Sequence, residues 1–357
     1  MRARSSLRNF LIPLLLAGSA VAFAACQGST GTDADESGVS SDGGKRDGAR
    51  DGGSGALQLV VTVDWEGRDL LDENLRAMEE LERRFPDVRI THFLNAAYFT
   101  KIGAVKSQVA TQIRRVVRTT DDRGLHIHGW KRLFEASGVT FRDDPTFWGR
   151  PGLSNDCNDD CGHEVPISAY TADELTKVIR FSVSTLSQNG FGRAQSFRAG
   201  GWMAAPNVRE ALVHESILWE HSAVPPKFLK SEISTMALYG WVDDLWGDTD
   251  ELSQPYALEV QTASKAKASI TEIPDNGALA DYMYASEMTD VFDANKEAFL
   301  RDRSKNVVVS IGFHQETAGK YVSRVEEALT HIYEAATREH LPLVSVTSKE
   351  IGERTLR

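Results

Sequence analysis

Apolar and polar positions change period repeatedly along this chain. Val60 to Val63 is an uncharged, β-branched run that ends abruptly in Asp64, Trp65 and Glu66, which reads as a strand buried on both faces. Leu71, Leu75, Met78, Leu81 and Phe85 then recur at spacings of four and three, predicting an amphipathic helix stopped by Pro86. Val88–Leu94 reads as a second strand, Val105–Val117 as a second helix, and Leu125–Trp130 as a third strand end. Phe134–Ile167 has no periodicity, and a loop of that length is usually functional. Thr171-Ala172-Asp173-Glu174 is a capping box. It opens a helix carrying Leu175, Val178, Ile179, Val183 and Leu186, with Gly190 past its end.

The second half alternates in the same way. S-F-R-A-G-G-W at Ser196–Trp202 precedes a helix near Asn207–His214, and Ile217–Ser222 reads as another strand end. Residues 223–268, which hold V-D-D-L-W-G, are expected to form a β-rich excursion. Ile270–Ile273 is a short strand stopped by Pro274, and Val307–Ile311 runs into Gly312-Phe313-His314. A helix with Val322, Val325, Leu329 and Ile332 follows, and Leu343–Val346 is the last strand. Strands alternating with helices over about 290 residues predict one α/β domain, residues 57–357, of barrel-like architecture.

The first 56 residues have a different character. Arg2, Arg4 and Arg8 precede an apolar run from Phe10 to Ala25, the pattern of a secretory signal and too short for a membrane span. Phe23-Ala24-Ala25-Cys26 resembles a bacterial lipobox, so Cys26 is the expected lipidation site, with simple cleavage near Ala25 as the alternative. Gln27 is not an inner-membrane retention residue, so the expected location is the cell envelope, at the outer membrane. Residues 26–56 are rich in Gly, Ser and Asp and read as a flexible tether. Losing the three arginines of the signal takes the formal charge from −11 to −14, which argues against nucleic acid as a partner. In an oxidising compartment Cys157 and Cys161 are expected to form a disulfide. A metal site using Cys157, Cys161 and His163 is the alternative.

The candidate chemistry sits where strands end. Asp64 and Glu66 lie at i and i+2, so both can face one pocket. His126 and His128 have the same spacing, and two imidazoles with a carboxylate make a metal site with open positions. His314 ends a third strand, and Arg198 sits beside Gly200 and Gly201, where backbone approaches a ligand closely. Trp202, Trp241 and Trp246 are candidate sugar-stacking aromatics, with packing in the core as the alternative. Asp243, Asp244 and Asp275 read as solvated turn residues, with contact to a substrate as the alternative, and His92 as structural or surface.

V-V-T-V-D-W-E-G, R-G-L-H-I-H-G-W, S-F-R-A-G-G-W, E-H-S-A-V-P, I-T-E-I-P and I-G-F-H occur in the order and rough spacing of polysaccharide deacetylases with the NodB homology domain. The chain resembles that family over residues 57–350. The resemblance implies a distorted (β/α)7 barrel, a divalent metal such as zinc, and hydrolysis of N- or O-acetyl groups on sugars. It makes Asp64 similar to the general base, His314 to the general acid, and Arg198 to the residue that orients the base. Glu66, His126 and His128 are the implied metal ligands. Two departures stand out. Trp65 holds the place of the family's second Asp, and the H-x-x-x-H pair is missing, since Trp130 and Arg132 lie four residues after the two histidines. A metal-dependent deacetylase of cell-surface or peptidoglycan sugars is therefore the leading reading. The alternatives are a catalytically silent sugar-binding lipoprotein and a metal-independent amide hydrolase on the same scaffold.

Overall fold

The computed structural model describes residues 55–262 and 267–355. The expected signal segment (residues 1–25), Cys26 and nearly all of the tether lie outside the described residues. The elements run β1 (Leu57–Asp64), α1 (Asp72–Arg84), β2 (Ile90–Leu94), α2 (Lys106–Ile113), β3 (Asp122–Ile127), α3 (Lys131–Ala136), α4 (Ala172–Gln188), β4 (Ser196–Ala199) and α5 (Pro206–His214). Then come β5 (Trp219–Glu220), α6 (Pro226–Ile233), α7 (Ala237–Trp246), β6 (Tyr256–Gln261), β7 (Lys267–Glu272), α8 (Ala285–Arg301), β8 (Val307–His314), α9 (Ala318–Arg338), β9 (Leu343–Ser345) and α10 (Ser348–Thr355).

The strands form one sheet in the order β6-β7-β5-β4-β3-β2-β1-β8, with β9 beside the start of β1. Every neighbouring pair is parallel except β6 with β7. The sheet curls into an incomplete barrel of the distorted (β/α) type. An irregular stretch patches the seam: Gly277 N donates to Ser310 O at 2.8 Å and Ala280 N to Gly312 O at 2.8 Å.

β1 is buried along its whole length, and its alternation assigns the faces. Leu57, Leu59, Val61 and Val63 pack in the large cluster shared with the helices. Val60 joins a small interior cluster with Trp219, Ile273, Val308, Val346 and Ile351. Gln58, Thr62 and Asp64 share the interior face with Val60 by the period of two. The interior face of β1 thus carries an apolar layer at Val60 and polar groups, Thr62 and Asp64, towards its carboxyl end. The hydrophobic side chains at α1 positions 75, 78 and 81 are buried, each worth about 1.5–3 kcal/mol relative to exposure. The capping box at Thr171 is formed in both directions.

Two expectations are corrected. Residues 223–268 are not mainly β: α6 and α7 occupy most of the first half, and among the described residues of this range only β6 and the start of β7 are strand. Pro225 and Pro226 open α6 with a preset φ, and Leu238, Val242 and Trp246 bury one face of α7 at helical spacing. V-D-D-L-W-G is thus the end of a helix. α8 was not expected, although Met288, Phe292, Asn295 and Phe299 line its buried face.

Glu220 and Glu272 face each other at paired register positions of β5 and β7, and both are wholly buried. Burial, and then the charge of Glu220, pushes the Glu272 carboxyl well above the usual range, with the pair sharing a hydrogen bond. The folded chain therefore keeps a proton that the unfolded chain loses near pH 4.3. Stability from this proton is present below that pH and falls as pH rises towards the folded value, by up to about 1.4 kcal/mol per pH unit. Urea unfolding of wild type and Glu272→Gln between pH 4 and pH 8 checks this. The wild type should lose stability relative to the variant as pH rises, and parallel curves would refute the shared proton.

Candidate active site

The carboxyl ends of β1, β3, β4 and β8 deliver one cluster. Asp64, Glu66, His126, His128 and His314 line a cavity of about 200 Å³, while Arg198 lies buried directly beneath Asp64. Each of these residues is on the interior face of its segment, two or four positions from another interior residue. Trp65, at the odd position, points out of the barrel. Its ring packs edge-on to Tyr98 at 6.2 Å, and its Nε1 donates to His92 Nδ1 at 3.3 Å. The period of two thus makes position 65 a core position in this chain and leaves position 66 facing the cavity.

The floor of the site is the guanidinium of Arg198, which is 0% exposed. Its Nη1 donates to Asp64 Oδ1 at 2.9 Å and to Thr62 Oγ1 at 3.1 Å. Its Nε donates to His221 O at 2.8 Å, and its Nη2 to His221 Nδ1 at 3.0 Å. Nη2 also lies 3.1 Å from Asp275 Oδ1, and the Phe93 ring stacks below it with 4.8 Å from Cζ to the centroid. Burial and the Arg198 charge hold the His221 imidazole well below its ordinary pKa, so it is a neutral acceptor. Burial pushes the Asp275 carboxyl up, against the pull of Arg198.

Above this floor, Glu66 is ringed by imidazoles. His126 Nδ1 donates to Arg198 O at 2.9 Å, and His128 Nδ1 donates to His163 O at 2.8 Å. A carbonyl can only accept, so each Nδ1 carries the ring proton and each Nε2 is a bare lone pair when the ring is neutral. Those lone pairs point at the Glu66 carboxylate, His126 Nε2 at 3.2 Å from Oε1 and His128 Nε2 at 3.0 Å from Oε2. Acceptors facing acceptors at this distance need a proton or a metal ion between them. The donor set, two nitrogens and a carboxylate oxygen mutually close enough to share one ion, suits zinc or a similar divalent metal. Burial raises the Glu66 carboxyl, but His128 and His314 outweigh it and hold it well below the ordinary range. A second close group, Glu82, His92 and Asp121, already has its cation: Arg118 reaches Asp121 at 3.0 and 3.2 Å.

His314 stands on the opposite wall. Asp281 Oδ2 lies 2.9 Å from its Nδ1, and its Nε2 is 3.5 Å from Glu66 Oε1. Burial lowers its pKa, but the Asp281 and Glu66 carboxylates overcome that and push it up to about 10. Glu316 ties the two walls together, accepting the backbone N–H of Glu66 at 3.0 Å and of Arg68 at 3.1 Å. Burial pushes the Glu316 carboxyl up to about 7.

The aromatic expectations divide. Trp202 lines the cavity and sends its Nε1 to Asp275 Oδ2 at 3.4 Å. Trp246 does not reach the cavity. It is buried in the core, its Nε1 donating to Trp202 O at 2.9 Å, so it supports Trp202 from behind. Asp275 is corrected from a solvated turn residue to a fully buried member of the Arg198 network. Cys157 and Cys161 are joined in a disulfide, and His163 reaches the site without them. Asp281, Glu316 and His221 were missed, although Glu316 repeats the i+2 spacing beyond His314 and His221 ends a predicted strand.

No protein-family model and no curated protein matches the sequence. Solved structures do match. One, a Mycobacterium smegmatis protein provisionally assigned as a polysaccharide deacetylase, superimposes with a TM-score of 0.52 at 12% identity, covering 85% of this chain and 91% of its own. The chain has the polysaccharide deacetylase fold. Two further likenesses are looser. The family 4 carbohydrate esterase from Streptomyces lividans, solved with acetate, has a TM-score of 0.38 at 11% identity, covering 82% of this chain and 91% of that one. The Puue allantoinase has 0.44 at 14% identity, with 83% and 89% covered. Within the deacetylase fold, the Arg198 floor is the element whose loss should be felt throughout. Arg198→Ala would leave Asp64 and Asp275 buried without a counter-charge, and unfolding in urea should show a loss of about 3–5 kcal/mol. Arg198→Lys, which cannot reproduce the fork of donors, should recover only part of it.

Proposed function

We propose that the protein is a metal-dependent hydrolase that removes acetyl groups from a carbohydrate. The observation that carries this reading is the pair of imidazole lone pairs, fixed by their Nδ1 bonds, that converge on Glu66 beside the Asp64–Arg198 and His314–Asp281 pairs. Glu66, His126 and His128 are the residues that would hold the ion. A divalent ion bound there would polarise the acetyl carbonyl and lower the pKa of an adjacent water to roughly 7.

The remaining chemistry belongs to the side chains. Asp64, oriented by the Arg198 guanidinium, is the base that takes a proton from the attacking water. Its Oδ1 is held by Nη1 of Arg198, so the carboxylate cannot rotate away. His314 is the acid. Asp281 fixes its Nδ1–H and favours the charged ring, so that Nε2 holds the proton that passes to the leaving amine or alcohol as the tetrahedral intermediate collapses. Trp202 and Tyr282 offer apolar faces in the cavity on which a sugar ring can stack. The lipobox-like Cys26 and the signal pattern before it support an anchored protein of the cell envelope, with peptidoglycan or another surface polymer as substrate.

Elemental analysis of the purified protein before and after chelation tests the reading first. About one zinc or similar ion per chain is expected, with acetate release from acetylated chitooligosaccharides lost on chelation and restored by metal. Absence of bound metal after reloading would remove the metal-dependent mechanism. Asp64→Asn and His314→Ala should each lower the rate of acetate release by about 10²–10⁴-fold while metal content stays near that of the wild type. An unchanged rate in either variant would displace that residue from its role.

A further inference from the structure

The cavity holds about 200 Å³, less than the roughly 300–1,000 Å³ of a site that encloses a drug-sized ligand. It has room for one sugar unit around the reacting group, so the rest of a longer chain must run over its rim. The chain has seven tryptophans. Trp65, Trp130, Trp202, Trp219 and Trp246 are buried, and Trp241 packs against the main core. Trp148, from the aperiodic stretch between α3 and α4, lines the cavity yet is 41% exposed. It therefore stands at the rim. Among the described residues, no ring stacks on its indole and no acceptor takes its Nε1 proton.

A lone exposed apolar residue is ordinary on a protein surface. Here the backbone on both sides is built to hold the ring in place. Gly149 N donates to Thr146 O at 2.8 Å, and Thr146 Oγ1 donates to Arg150 O at 2.7 Å, so Trp148 sits at the tip of a closed turn. Phe147 N donates to Glu164 O at 2.8 Å, and Phe147 O accepts the N–H of Leu238 at 3.1 Å, which ties the turn both to its own loop and to α7. Phe147 itself is buried, its ring edge-on to His128 at 6.2 Å. Gly149 has φ +68°, and a Cβ there would lie 2.8 Å from Ala237 Cβ, so only glycine lets the turn press on α7. The loop is docked at its other end by Gly162, where φ is +91° and a Cβ would lie 2.5 Å from Gly129 O.

We propose that Trp148 is the stacking platform for a pyranose ring next to the acetylated unit, so that the substrate is an oligosaccharide or polymer read over at least two sugar units. This rests on the carbohydrate reading of the site given above. The apolar face of a pyranose packs on indole, and the free Nε1–H can donate to a sugar hydroxyl. A pinned backbone leaves only the two side-chain torsions to be ordered on binding, which keeps the entropic cost low. Trp202 is less suited to this task, because it is buried and its Nε1 is directed at Asp275.

Acetate release by the full-length protein on single acetylated sugars and on pentasaccharides of the same sugar, in a chito and an acetylated xylo series, tests this. Wild type should have a kcat/KM at least about tenfold higher on the pentasaccharide. Trp148→Ala should lose about tenfold on the pentasaccharide, through KM with kcat nearly kept, and much less on the single sugar. Trp148→Phe, which restores an aromatic face, should recover most of the loss. Circular dichroism confirms that each variant is folded. A folded Trp148→Ala protein with wild-type KM on the pentasaccharide would overturn the proposal and leave the deacetylase reading intact. An equal loss on both lengths, or a loss in kcat alone, would overturn it too, making Trp148 a positioning residue of the loop. A wild type that releases acetate from neither series would remove the carbohydrate reading and this inference together.

Discussion

A single buried cation sets the terms for the top of the barrel. Arg198 comes from the interior of β4 with no access to solvent, and taking its charge out of water would cost several kcal/mol if it were unpaired. Each of its nitrogens is therefore engaged, by Asp64, Thr62, His221 and Asp275. Those partners come from β1, from the segment after β5 and from the irregular stretch that closes the seam. Satisfying one guanidinium thus fixes how three separate pieces of chain meet. The same requirement holds the base of the proposed reaction in one orientation.

The second layer is built on Glu66 and is held from several directions. Glu316 takes its backbone N–H, Asn95 and Trp130 take its carbonyl, and four imidazoles approach its carboxylate. Placing so many nitrogens around one carboxylate is unfavourable without a positive charge among them. Protons or a metal ion can supply it, and the fixed Nδ1 bonds of His126 and His128 favour the metal by leaving their Nε2 lone pairs directed inward. Asp281 works on the other wall in the opposite sense, favouring a proton on His314. The two sides of one small cavity are thereby set for different tasks, one to hold a cation and one to hold a proton.

Much of the chain's plan is written in local pattern. The uncharged run of β1, the helical spacing of α1, α4 and α9, and the capping box at Thr171 are determined by neighbours in sequence, because backbone hydrogen bonding and burial of one face follow directly from residue spacing. The strand-end residues Asp64, Glu66, His126, His128, Arg198 and His314 were legible for the same reason: a period of two puts i and i+2 on one face wherever the strand goes. Misreadings arose where tertiary burial sets the outcome. The α7 sequence reads as part of a β-rich excursion with Asp243 and Asp244 in turns, yet it folds as a helix that buries Leu238, Val242 and Trp246. Asp275 looks like a turn acid until Arg198 is brought beside it.

The sequence by itself determined the alternation of strands and helices, the interior face of each strand, and hence the short menu of residues that could share a pocket. It could not place His163, Asp281, Glu316 and Asp275 beside them, or decide that Trp202 lines the cavity while Trp246 lies behind it. Those outcomes depend on contacts between residues far apart in the chain. Such contacts form only when the sheet curls, when glycine lets the loop backbone press against Gly129, and when buried charges must find partners. Spacing along a strand is a local property of the covalent chain, whereas the partner across a cavity is chosen by the packing and charge balance of the whole fold.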